Sequence, residues 1–157
     1  MTTKNNRSIW MVKEKFTVVA DYSRSLEDLI VAGSYDYVNP EIAKVSFQPF
    51  EGERGRKKKF FKLYYFFGED LQFDDAIGEM KKDGSRPAIH QELLVLGETY
   101  PEIQRQFPII ALGTICFNCD GYRCVVELWG DSEKRGLDLV WYDGDWRGHY
   151  YFLGVLR

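Results

Sequence analysis

Apolar residues recur along this chain in two rhythms, one helical and one strand-like. Between residues 73 and 100 the rhythm is helical. Phe73, Ala76, Ile77 and Met80 fall at i, i+3, i+4 and i+7, which is one face of an amphipathic helix. Lys81 and Lys82 occupy its last turn, where cations favour the negative end of the helix dipole, and Gly84 follows as the natural left-handed stop. Arg86-Pro87 reads as an extended connection, because a residue before proline avoids the helical region. A second helix starts near Ile89, with Ile89, Leu93, Leu94 and Leu96 on one side, and ends before Pro101. A shorter helix is predicted after Ser25, where S-L-E-D is a capping box with Asp28 in the acidic position; it stops at Gly33.

The rest of the chain has the strand rhythm. Residues 15–22 (KFTVVADY) are β-branched and aromatic. Residues 43–50 and 58–67 read as two strands of a hairpin, with the glycine-rich, charged segment 51–57 (EGERGRK) as its exposed tip. Residues 108–117 (PIIALGTICF) are almost continuously apolar, as in a strand covered on both faces. Asp120-Gly121 and Asp143-Gly144 are hairpin turns, so residues 122–129, 137–142 and 150–156 complete a meander. Helices are grouped rather than alternating with strands. The expected class is therefore α+β, a mainly antiparallel sheet with two or three short helices.

The length of 157 residues fits one domain, with the polar start at 1–9 expected to fray. An aromatic content of 16% suits a strand-rich core. The net charge of −3 argues against a general nucleic-acid or membrane-surface binder. No apolar run is long enough for a membrane span, and the first residues lead into no signal-type segment. Together with three cysteines, an odd number, this predicts a cytoplasmic chain with free thiols.

The arrangement F-D-D-A-I…K-K-D-G-S-R-P-A…Q-E-L resembles the two-helix segment of C-type-lectin-like domains, including the bacterial branch related to formylglycine-generating enzymes. The resemblance covers residues 73–157. Gly84, Arg86, Pro87 and Glu92 stand where that family ends one helix and opens the next, and the tail Y-F-L-G-V-L-R is similar to its closing strand. It implies a C-type-lectin-like scaffold. The calcium-dependent sugar motifs Glu-Pro-Asn, Gln-Pro-Asp and Trp-Asn-Asp do not occur, and no cysteine follows Cys124 to serve as the reactive thiol of the enzymatic branch.

Candidate chemistry is sparse. Cys116, Cys119 and Cys124 form the most metal-like pattern, with His90 or His149 needed as a fourth ligand, but three small buried hydrophobes explain the same spacing. We expect no metal, no cofactor and no disulfide. Neither histidine lies in a hydrolase or zinc-protease motif, which points away from an enzyme. The surface expected to bind is the loop region containing Trp129, Arg135, Trp141, Asp143, Asp145, Trp146 and Arg147, since aromatics and arginine are enriched at binding hot spots. The leading expectation is a non-enzymatic binding module for a protein or small-molecule ligand. The alternative is nucleic-acid or phosphate binding through the basic run Arg54, Arg56, Lys57, Lys58 and Lys59, for which a solvated hairpin tip is the simpler reading.

Overall fold

The computed structural model describes residues 9–67, 72–143 and 149–157, with side chains from residue 15 onward and through 66 in the first stretch. The polar start at 1–8 and most of the turn after Asp143 lie outside the described residues. The fold is α+β. Its strands are β1 (Ile9–Asp21), β2 (Tyr37–Val38), β3 (Arg56–Phe67), β4 (Ser85–Pro87), β5 (Ile109–Phe117), β6 (Arg123–Gly130), β7 (Arg135–Trp141) and β8 (Tyr151–Leu156). The helices are α1 (Leu26–Gly33), α2 (Phe73–Lys82) and α3 (His90–Thr99). All eight strands join one sheet in the order β1-β3-β8-β5-β6-β7-β2, with β4 pairing β8 off that path.

The helices form where the caps and periodicity place them. Ser25 Oγ accepts the Asp28 N–H at 3.0 Å, which satisfies one of the free donors at the start of α1. In α3 the carboxylate of Glu92 reaches back to accept the Ile89 N–H at 2.9 Å. Gly84 has φ +85°, a conformation costly for a side chain, and it turns the chain from α2 into β4.

The two faces of the sheet are covered by different helices. Leu29 of α1 and Leu93, Leu94 and Leu96 of α3 bury against Phe61, Leu63, Val126, Leu128 and Leu153. On the opposite face Phe73, Ala76 and Met80 of α2 bury against Tyr64, Phe66, Ile110 and Phe152. The periodic residues of α2 are thus its core face. A Phe or Met side chain is worth about 1.5–3 kcal/mol when fully buried.

Two expectations about pairing are corrected. Residues 43–50 do not form a strand against 58–67. They run as a loop touching β5 through a single bridge, Phe47 to Cys116, while β3 pairs with β1 from Ile9↔Phe67 to Asp21↔Arg56. A Val-Ser-Phe stretch has strand propensity, but its aromatics are used as plugs: Phe47 stacks on His90 at 4.0 Å and Phe50 lies under the Arg86 guanidinium at 4.8 Å. The meander also stops early. β5, β6 and β7 are consecutive antiparallel neighbours, but β8 leaves them and inserts between β3 and β5, antiparallel to the first and parallel to the second. Its central residues Phe152, Leu153, Gly154 and Val155 are all buried, so an apolar run with no alternation marks a strand covered on both faces.

Candidate functional site

The described residues expected to form one binding surface lie at two ends of the β6–β7 pair. Trp129 stands opposite Gly136, and Cys124 opposite Trp141. At about 3.4 Å per residue, Arg135 and Trp141 are roughly 20 Å apart along β7. Asp145, Trp146 and Arg147 lie outside the described residues. The near end is structural. Trp129 lays its indole across Gly136, where any Cβ would meet the ring at 2.1 Å, and its ring stands 6.2 Å from that of Tyr37.

Arg135 is a correction. It is buried rather than presented to a ligand. Its Nε donates to the Pro101 carbonyl at 2.9 Å, Nη1 to the Gly33 carbonyl at 2.7 Å, and Nη2 to the Gly97 carbonyl at 2.8 Å and Gln104 Oε1 at 2.9 Å. The guanidinium sits 4.8 Å from the centre of the Tyr35 ring. Carbonyls near the ends of α1 and α3 are the negative ends of those helix dipoles, so one cation serves both.

The far end is exposed. Trp141 is 60% and Tyr122 58% accessible, and their rings lie 5.5 Å apart with an interplanar angle of 35°. Local chemistry builds this edge. Asn118 Oδ1 accepts the N–H groups of Asp120 at 3.0 Å and Tyr122 at 2.9 Å, fixing the β5–β6 turn that carries Tyr122. Beside it Arg123 grips Asp143 with two hydrogen bonds, Nε to Oδ2 at 3.1 Å and Nη2 to Oδ1. That grip holds the Asp143 carboxyl below its ordinary range. Arg123 also covers the Tyr142 ring at 4.6 Å, and the Tyr142 hydroxyl donates to Asp74 Oδ1 at 2.6 Å. The edge is therefore an aromatic shelf with an ordered, charged rim.

The three thiols sit close to this edge. Cys116 and Cys124 are buried cross-strand partners and Cys119 is exposed on the turn; all three are free. Burial pushes the Cys116 thiol up to about 12, which makes it a poor thiolate source. His90 is held by Thr114 Oγ1 at 2.9 Å, and burial lowers its pKa to about 4, so it is a neutral packing residue.

Strand alternation divides the basic run. Lys57 and Lys59 point to the α3 face, where both bond the Glu53 carboxylate, Lys57 at 2.9 Å. Arg86 joins them at Glu53 Oε2 at 3.1 Å and reaches Glu92 at 3.0 and 2.7 Å. Tyr22 donates to the same Glu92 at 2.5 Å. Burial alone would raise the Glu53 pKa, but hydrogen bonds from Lys59, Lys57 and Arg86 bring it down to about 2. This network is complete on its own and ties β4, α3 and the 51–55 loop together. Arg56 and Lys58 point to the other face, and Arg54 is an exposed loop residue.

One titratable group was not singled out by its sequence. Glu127 of β6 lies across the ladder from Asp138 of β7. Asp138 Oδ1 accepts from Asn39 Nδ2 at 2.8 Å and from the Leu139 N–H at 2.9 Å, whereas Glu127 has no hydrogen-bond partner among the described residues. Burial first, and the Asp138 charge second, raise the Glu127 pKa to about 7. A carboxyl of this kind can donate a hydrogen bond near neutrality. The sequence signal is a lone glutamate among Val125, Val126 and Leu128 in an apolar strand. Among the described residues no three metal-ligating side chains converge, and no helix is long and apolar enough to cross a membrane. Comparison of the chain with protein-family models, curated proteins and solved structures gives no match.

Proposed function

We propose that this chain is a non-enzymatic binding module whose contact edge is the far end of β5, β6 and β7. The observation that carries the reading is the Trp141–Tyr122 pair. Two large aromatics, each more than half exposed and only 5.5 Å apart, form a contiguous apolar shelf of the type found at recognition sites. The Arg123–Asp143 pair beside it supplies a polar rim with fixed geometry, so little side-chain freedom is lost on binding. Phe117 adds a further exposed aromatic at the same end of the sheet. The ligand is a protein segment or a small molecule that offers a flat apolar face. Three free thiols agree with action in a reducing cytoplasm.

The finer reading of the scaffold as C-type-lectin-like belongs to the same proposal. It is supported by the α2–Gly84–Arg86–Pro87–α3 succession, by Glu92 closing on Arg86, and by a terminal strand placed inside the sheet.

The test compares the wild-type chain with Trp141→Ala/Tyr122→Ala on a glycan array and in quantitative pull-downs. Both side chains are exposed, so the variant is expected to melt within a few degrees of the wild type. A ligand retained by the wild type and lost from the variant is the expected result. Identical bound sets for two equally folded proteins would remove the shelf from the binding role.

A further inference from the structure

The bare half of the β1–β3 ribbon carries a second, unrelated surface. α2 covers the Tyr64–Phe66 end of this face and stops at its C-cap, Asp83, whose carboxylate meets Lys62 at 3.0 Å. Past that point no described element lies on the ribbon. The register sets four rungs there: Lys15 beside Lys62, Thr17 beside Phe60, Val19 beside Lys58, and Asp21 beside Arg56. Lys15, Arg56 and Lys58 are exposed and make no ion pair among the described residues. Phe60 is 48% exposed at the centre of the row, with the Lys58 ammonium 5.7 Å from its ring centre, and Val19 beside Lys58 is 53% exposed.

We infer that this face binds single-stranded nucleic acid. The chain as a whole is acidic, with a net charge of −3, yet this surface gathers cations on one side of two strands. Two lysines directly opposite each other repel, and Lys15 and Lys62 stand so; among the described residues the Asp83 carboxylate, ion-paired to Lys62 at 3.0 Å, offsets this in part. Bound anions relieve that repulsion. Side chains on one face recur about every 7 Å, a spacing that suits successive phosphates of an extended strand. An aromatic ring set among those cations offers a base a stacking partner regardless of sequence. β1 is the edge strand of the sheet, and at its far end Val19, Asp21 and Arg56 border a hollow shared with Arg24 and with Val95, Glu98 and Thr99 of α3. An acidic protein segment would use the cations but leave Phe60 without a role.

The alternation of β3 makes the inference specific. Arg56, Lys58 and Phe60 belong to the surface, whereas Lys57 belongs to the opposite face with Glu53. The test is fluorescence anisotropy at low salt with labelled oligouridylate and oligothymidylate of about 20 nucleotides, longer than a single sheet face covers. A duplex of the same length and polyglutamate serve as competitors. Both single strands should bind, with a log–log salt slope of about −2 from three cations at roughly 0.7 each. Lys58→Glu should weaken binding by about tenfold or more at low salt, and Phe60→Ala by about tenfold through lost stacking. Lys57→Ala, which removes a cation one residue away on the opposite face, should leave it unchanged. Circular dichroism and melting of each variant establish that the fold is intact, and Arg56→Ala replaces Lys58→Glu or Phe60→Ala if either melts early. Tighter binding of duplex or polyglutamate, equal loss in Lys57→Ala, or no retention of either single strand would overturn the inference.

Discussion

Glu92 and Glu127 are both carboxylates withdrawn from water, and the protein treats them in opposite ways. Glu92 is fully buried, but every part of its charge is answered: Arg86 gives it two hydrogen bonds, Tyr22 a third and the Ile89 N–H a fourth. Glu127 is only half-buried, yet its one charged neighbour among the described residues is another carboxylate. Depth of burial therefore does not decide what a charge costs here; partners do. The Glu92 region anchors α3 to β4 and the 51–55 loop, and rigidity there supports the sheet that carries both exposed surfaces. The Glu127 region holds a proton that the surrounding solution can remove near neutrality.

The largest effect is expected from breaking the partnered side. Arg86→Met keeps the apolar stem but leaves Glu92 buried without its main counter-charge. Removing one member of a buried pair costs about 3–5 kcal/mol, a large part of a typical domain's stability. Denaturant titration reads this directly, and a loss below about 1 kcal/mol would show that Glu92 is solvated in solution.

The unpartnered side should respond in the opposite direction and with pH. The Glu127 pKa is raised in the folded protein to about 7, from 4.5 for a free side chain. Below 4.5 both folded and unfolded chains keep the proton, and the group costs nothing. As pH rises from 4.5 towards 7 the unfolded chain releases its proton first, so stability falls, and above 7 the cost is complete at up to about 3 kcal/mol. Glu127→Gln removes the titration. It should stabilise the protein by about 2 kcal/mol above pH 7 and change little below 4.5. Melting temperatures of the two proteins across this range test it; parallel curves would mean that Glu127 titrates normally.

The difference between these regions also explains what the sequence revealed. Helix signals are local, and Ser25, the Phe73–Met80 stripe and Gly84 could be read one turn at a time. Strand pairing is not local. Nothing near residues 56–67 says that their partner is β1 rather than 43–50, or that β8 leaves the meander to lie between β3 and β5. The same limit hid the buried charges. Arg135 sits in a run, G-D-S-E-K-R, that reads as a solvated turn, but its acceptors lie at Gly33, Gly97 and Pro101. The basic run at 54–59 was visible as composition, while its division between two faces needed the strand register. Trp141 was found by residue type alone, and its exposed partner Tyr122 was missed because stacking across strands leaves no spacing signature.

The smallest effect tests whether the rule about partners extends to a neutral group. Tyr35 packs its ring under the Arg135 guanidinium, and its hydroxyl is the one buried side-chain oxygen without a hydrogen-bond partner among the described residues. An unsatisfied buried hydroxyl costs about 1–3 kcal/mol, less than a lone charge because its desolvation is milder. Tyr35→Phe removes the oxygen and keeps the ring. The attraction of the ring for Arg135 is nearly retained, since phenylalanine and tyrosine faces hold cations to a similar degree. A small void remains beside Gly97, where the hydroxyl now sits within 2.2 Å of the place a Cβ would take. The gain from removing the unpaired oxygen exceeds the loss of those few contacts, so the expected net change is a stabilisation of about 1 kcal/mol. For a chain of this length that raises the melting temperature by roughly 2–4 °C. Unlike Glu127→Gln, the shift should be independent of pH, because neither phenol nor phenyl titrates where the carboxylates do. A destabilisation of about 1 kcal/mol or more would mean that the hydroxyl is satisfied in solution by an ordered water, and that the Arg135 site is fully partnered in the same way as Glu92.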